Sequence, residues 1–266
     1  MSELQELKDA LSEHKYELNS ILENDDNFAR DEGAYFPKKY SEMKIEALNH
    51  VIDSLEIKIA NLTSIIITSD IEQGSDEWLD MRMGVITASR FSDVLAGGAG
   101  KTRLAYMYQL AAETLTRERQ DFFTSPAMEW GTKTEPAARE MYEMVSGNLV
   151  EQVSFIKFSG KNIGCSPDGL INDDGLIEIK CPKTSTQIET VLSGKMPKIH
   201  TAQVQGQLWV SGREWCDFVS FDPRIENENS FFCQRIYRDE KYIADLDSAC
   251  LKFCDELEAI LKIVGG

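Results

Sequence analysis

Between Ile163 and Pro182 the chain reads IGCSPDGLINDDGLIEIKCP. Two short apolar runs flank a turn at Asn172-Asp173-Asp174-Gly175, the pattern of a β-hairpin. The runs carry Asp168, Glu178 and Lys180, groups that a strand bound for a core excludes unless they are paired or functional. Strand side chains alternate between faces. Glu178 and Lys180 therefore point one way, and Ile177 and Ile179 point the other way, into the core. Asp168, on the preceding strand, reaches the side of Glu178. Two carboxylates at one sheet edge repel unless a cation lies between them, and a lysine beside them can steer or deprotonate a water. Such a trio suits metal-assisted phosphodiester hydrolysis, which needs acids to hold a metal, a metal to polarise phosphate, and a nucleophilic water. The competing reading is a solvated acidic hairpin with a chance lysine. The full spacing, Pro167-Asp168 followed by Glu178-x-Lys180 inside apolar strands, favours the hydrolase.

The remaining composition narrows the choice. With 266 residues, 42% hydrophobic and 27% charged, the chain can build one large domain, or one domain plus an appendage. No apolar run approaches the roughly 18 residues of a membrane span, and the first residues lack the apolar core of a signal peptide. The expectation is a cytoplasmic protein with no membrane association, whose six cysteines are reduced thiols. Their spacing completes neither a zinc site nor an iron–sulfur site. Three histidines are too few for a histidine-rich metal centre, so any metal must be held by carboxylates, which favours Mg²⁺ or Mn²⁺. A net charge of −17 argues against a nonspecific DNA coat protein. It leaves room for a nucleic-acid enzyme with a locally basic cleft.

Residues 1–69 read as an accessory helical hairpin. Leu4, Leu7, Leu11, Leu18 and Ile21 follow one heptad seam, with His14 at a seam position, and Ile45, Leu48, Ile52, Leu55, Ile59, Leu62 and Ile66 follow a second. Asn24 to Tyr40 reads as the connector. From Asp70 onward, helix and strand patterns alternate in a mixed order that predicts a central mixed sheet flanked by helices, an α/β fold. Helices are predicted over 76–83, 89–95, 104–118, 135–145, 186–192, 199–210 and 241–263. In the helix over 135–145, Pro136 occupies the first turn. Strands are predicted at 153–158, 215–221 and 231–237, besides the hairpin. Gly97-Gly98-Ala99-Gly100 reads as a loop. The string GGAGKTR mimics a phosphate loop but lacks the first glycine of that motif and follows a helix, so ATP binding is rejected.

The hairpin motifs SPDGL and EIKCP resemble the active site of the bacteriophage lambda exonuclease family, the viral-recombinase branch of restriction-endonuclease-like nucleases. So do EQGSDEW with RMGVITAS (Glu72 to Ser89), EWGTKTEPAAR (Glu129 to Arg139), AQVQGQLWV (Ala202 to Val210) and RDEKYIADLD (Arg238 to Asp247). These motifs keep the family's order across residues 70–266, and residues 1–69 lie outside them. The resemblance implies a restriction-endonuclease-like core and a Mg²⁺-dependent exonuclease, with Mn²⁺ as a substitute and two ions per site. The enzyme would digest linear double-stranded DNA from 5′ to 3′ and leave a 3′ single-stranded tail for a phage annealing protein. Its expected assembly is a homotrimeric ring.

Roles carried over by the resemblance are specific. Asp168, Glu178 and the backbone carbonyl of Ile179 match the metal ligands. Lys180 matches the residue that orients or activates water. Glu135 matches an extra acid, although by itself it reads as a helix-start glutamate favoured by the helix dipole. Gln203 matches a glutamine that contacts the nucleophilic water, and otherwise reads as a solvated helix residue. Arg82, Ser89 and Ser166 match a pocket for a terminal 5′-phosphate, where arginine can fork onto phosphate oxygens. Trp78 either stacks near DNA or fills the core. Met128 is either a wedge at the duplex fork or a core methionine. Lys101 and Arg103 occupy the place of a basic DNA-contacting loop. Two other functions stay open: an endonuclease of the same fold, and a non-catalytic DNA-end or partner-binding module.

Overall fold

The computed structural model describes residues 3–28, 38–96, 101–119 and 125–265. It divides into two compact units, residues 1–64 and 65–266. In the first, α1 (Glu3–Phe28) packs on α2 (Lys38–Thr63). Leu48 and Ile52 are buried in their seam, which the ion pairs Lys15–Glu56 and Glu17–Lys44 flank. The connector is shorter than predicted, because helix extends to Phe28 and resumes at Lys38. Residues 29–37 lie outside the described residues, as do the side chains of Leu4, Ile59 and Leu62.

The predicted second seam ends too late. Ile66 belongs to β1 (Ile65–Thr68), paired antiparallel with β3 (Phe155–Phe158). A run of β-branched residues loses side-chain freedom in a helix and fits a pleated surface, and β3 supplies the hydrogen-bonding partner. Between these strands come α3 (Asp76–Met81), β2 (Ile86–Thr87), α4 (Phe91–Leu95), α5 (Lys101–Thr116) and α6 (Pro126–Ser146). The loop predicted at residues 97–100 lies outside the described residues. Then follow β4 (Ile163–Cys165), β5 (Gly169–Ile171), β6 (Gly175–Lys180), α7 (Thr184–Ser193), α8 (Thr201–Ser211), β7 (Trp215–Phe221), β8 (Phe231–Tyr237) and α9 (Glu240–Val264).

The predicted mixed α/β architecture is present, and among the described residues its strands form two four-stranded mixed sheets, ordered β1-β3-β4-β2 and β5-β6-β7-β8. In the second, β6 pairs antiparallel with β5 and parallel with β7. Helix α6 also departs from expectation. Ser125 caps it by accepting from the Met128 N–H, Pro126 fills the first turn, and Pro136 lies inside the helix. The Ser-Pro start signal precedes the position read from Pro136, which instead costs an interior hydrogen bond.

Both faces of β6 are covered, so Ile177 and Ile179 do not define its only buried side. They pack with Ala138 and Tyr142 of α6 in one apolar cluster, while Leu176 belongs to a larger cluster built with α5, α8 and α9. Strand β6 therefore carries its acid between two layers, and Glu178 is only 1% exposed.

Candidate active site

The hairpin delivers its acids through backbone geometry. Asp168 donates its N–H to Ile177 O at 3.1 Å, and its Oδ2 accepts from the Ile179 N–H at 2.6 Å. The carboxylate is thereby turned toward the Glu178–Lys180 end of β6. Asn172, in the left-handed region at φ 47°, closes the turn. Gly169 allows close approach: a Cβ there would lie 2.1 Å from Val150 Cγ1. The approach to Asp168 is fixed by Gln73, whose side-chain amide donates to Pro167 O at 2.9 Å and Val153 O at 2.8 Å.

Helix α8 supplies the roof. Gln203 donates to Glu178 Oε1 and Gln207 to Glu178 Oε2, each at 2.6 Å, and Lys180 pairs with Oε1. Glu135, on α6, is half-buried and paired with Arg139 one turn along. Burial, reinforced by Glu178 and Glu135, pushes the Asp168 carboxyl well above its ordinary pKa. Burial raises Glu135 too, against the pull of Arg139. For Lys180, burial works downward, but Glu178 and Asp168 outweigh it and the ammonium pKa rises. Crowded acids of this kind form a hard-oxygen donor set for a divalent cation. Asp168 and Glu178 could supply such oxygens, each fixed by the hydrogen bonds given above. Among the described residues, no three His, Cys, Asp or Glu side chains gather into a metal cage, in keeping with the tie between Glu135 and Arg139.

Asp168 and Glu135 open onto a cleft of about 960 Å³, which is also lined by Trp78, Arg82, Ser89 and Met128. Arg82 lies 4.0 Å over the Trp78 ring. Its guanidinium sits 3.5 Å from each of three hydroxyls, on Ser166, Thr87 and Ser89. Burial lowers its pKa to about 10. No carboxylate among the described residues forms an ion pair with Arg82. Trp78 is a half-buried wall of the cleft and belongs to neither apolar cluster; its Nε1 donates to Ser154 O at 2.8 Å and Ser166 Oγ at 3.2 Å. Met128 is 48% exposed at the cleft rim, so it is not a core methionine. Lys101 and Arg103 do not line this cleft. Lys101 is exposed at the start of α5, and Arg103 pairs with Glu256 at 2.6 Å and lies over Phe253 on α9.

Gln207 escaped the sequence reading. Its signal was available, since Gln203 and Gln207 stand one helical turn apart and share a face. Gln73 left no local signal, because its partners Val153 and Pro167 are distant in sequence.

The hairpin acids, the lysine beside them and the cleft with its half-buried arginine lie in a nuclease of restriction-endonuclease-like fold. Residues 77–214 match the YqaJ-like viral recombinase domain, and the chain belongs to that family of nucleases, in accord with the lambda exonuclease resemblance. It is 40% identical to an alkaline exonuclease from Laribacter hongkongensis, covering 72% of this chain and 96% of that one with a TM-score of 0.67. A phage related exonuclease from Haemophilus somnus, at 16% identity, shares the fold over 66% of this chain and 96% of its own, with a TM-score of 0.50. An Escherichia coli protein named ExoD is 32% identical over 66 residues, 25% of this chain and 75% of ExoD.

Proposed function

We propose that this protein is a divalent-cation-dependent exonuclease that digests linear double-stranded DNA from 5′ to 3′. It leaves a 3′ tail for a phage annealing protein to use in recombination. The observation that carries this reading is Arg82. A half-buried guanidinium faced by hydroxyls and a ring, with no ion-pair partner among the described residues, is matched to an anion, and it shares one cleft with Asp168. A terminal 5′-phosphate held there by Arg82, Ser89 and Ser166 would set the scissile bond at the acids. The 40% identity to an alkaline exonuclease supports the same reading, and the family resemblance adds the homotrimeric ring.

Asp168, Glu178 and the Ile179 carbonyl would hold Mg²⁺ or Mn²⁺, and Glu135 would serve a second ion on release from Arg139. A bound cation supplies charge for the phosphodiester oxygens and acidifies water. The chain's own part is positional. Gln203 and Lys180 orient the attacking water, Arg82 anchors the end, and Met128 and Trp78 border the duplex path.

Digestion of linear duplex with and without a 5′-phosphate, in Mg²⁺ and in chelator, tests this directly. Phosphorylated ends should be degraded faster, chelator should stop the reaction, and closed circular DNA should resist. Cleavage of closed circles would instead establish an endonuclease. Arg82→Ala should cut the rate advantage of phosphorylated over hydroxyl ends by roughly tenfold, the scale of one charge-assisted hydrogen-bond set. An unchanged ratio rejects the phosphate pocket.

The helical hairpin takes the accessory role, with the chemistry in the second unit. A chain beginning at Ile65 should fold and digest linear DNA. A chain beginning at Asp70 also loses β1, leaves the backbone of β3 unpaired along that edge, and should melt lower. Thermal unfolding and digestion of both truncations check this. A folded but inactive chain from Ile65 would assign the hairpin to catalysis.

A further inference from the structure

Glu178 is gripped from two directions by groups of different standing. On Oε1, Gln203 and Lys180 are both partly exposed and are free to meet substrate. On Oε2, Gln207 is fully buried, and its Nε2 also lies 3.5 Å from Ser166 O. Its amide can touch neither DNA nor water in the cleft.

Gln207 is also an expensive residue for its place. It sits on α8 between the buried residues Gly206 and Leu208, at 0% exposure. Its Oε1 has no hydrogen-bond partner among the described residues, and a buried acceptor left unpaired is destabilising. Turning the amide over would satisfy nothing, because it would set the amide oxygen against the Glu178 carboxylate. A leucine or methionine would fill the same volume and remove this orphaned acceptor, but it would leave Glu178 Oε2 without its Gln207 donor. The cost is explained by what the Nε2 does: it holds one oxygen of Glu178 and so fixes the rotation of the carboxylate and the direction in which Oε1 faces.

We infer that Gln207 is a positioning residue that aligns Glu178 for divalent-cation binding, acting through that carboxylate and never on DNA. The inference rests on the reading that Glu178 holds the cation. Residues that orient a ligand from behind typically affect metal affinity by 10–100-fold.

The test is calorimetric titration of the full chain with Mn²⁺ alone, without DNA, in wild type, Gln207→Met and Glu178→Gln. Gln207→Met should bind Mn²⁺ about 10–100-fold more weakly. Its metal-free affinity for phosphorylated duplex ends should be unchanged, and its KM for DNA should hold while kcat at limiting Mn²⁺ falls. Saturating Mn²⁺ should recover part of kcat. Mn²⁺ affinity in Gln207→Met within twofold of wild type overturns the inference, as does a variant whose only defect is a lowered melting temperature in chelator. If Glu178→Gln binds Mn²⁺ as wild type does, the ligand assignment itself fails. If Glu178→Gln loses binding and Gln207→Met keeps it, only the role of Gln207 fails.

Discussion

Asp168→Asn is expected to lower hydrolysis by roughly a thousandfold or more. Charge stabilisation by a bound cation contributes several kcal/mol to phosphoryl chemistry, and each ~1.4 kcal/mol is a tenfold change in rate. The substitution keeps the fold, because an amide oxygen can still accept from the Ile179 N–H that now reaches Oδ2. It should also reverse the usual cost of a mutation. The Asp168 carboxyl is raised by burial and by Glu178 and Glu135, so the folded state binds its proton more tightly than the unfolded chain does. Its ionisation therefore costs stability as pH rises through the ordinary carboxylate range, and the cost is absent at lower pH. In chelator at neutral pH, Asp168→Asn should melt above the wild type, and the gap should close on acidification. Mn²⁺ should raise the wild-type melting temperature and leave the variant nearly unmoved. A variant retaining substantial activity in saturating Mg²⁺ rejects Asp168 as a ligand. A variant that melts below wild type in chelator rejects the crowding of acids.

Lys180→Ala is expected to reduce kcat by about 10²–10³-fold, the range for losing one preorganised donor to a developing negative charge. KM for DNA should change little, because the ammonium pairs with Glu178 and the proposed anchor for the DNA end is Arg82, not Lys180. Lys180→Arg should recover part of the rate, since it restores charge but not the compact ammonium. Single-turnover rates with saturating DNA measure this. A kcat within a few fold of wild type removes Lys180 from the chemistry, and a tenfold rise in KM alone would make it a DNA-binding residue.

Much of the molecule was legible locally. The strands at 215–221 and 231–237 match their predicted bounds, and α5, α7, α8 and α9 differ from theirs by only a few residues. Each rests on strong periodicity with clear turn residues at its ends. Where local signals competed, the reading slipped. Pro136 looked like a helix start because prolines favour first turns, yet the Ser125-Pro126 cap came earlier in the chain. Ile66 fitted a heptad, yet its β-branched neighbours and β3 drew it into a sheet.

By itself the sequence determined the chemical cast and its order. The Asp168 hairpin, the Glu178-x-Lys180 strand and the α8 glutamines are short-range patterns, set by the two-residue strand period and the 3.6-residue helix period. Tertiary structure decided which faces meet. Arg82 reaches Ser166 across 84 positions, Gln207 reaches Glu178 across 29, and Arg103, drawn to Glu256, turns away from the cleft. Periodicity says that a face exists, but only packing supplies the surface it meets. For the same reason, burial of both faces of β6 and the pressure it puts on Asp168 could not be read from alternation along one strand.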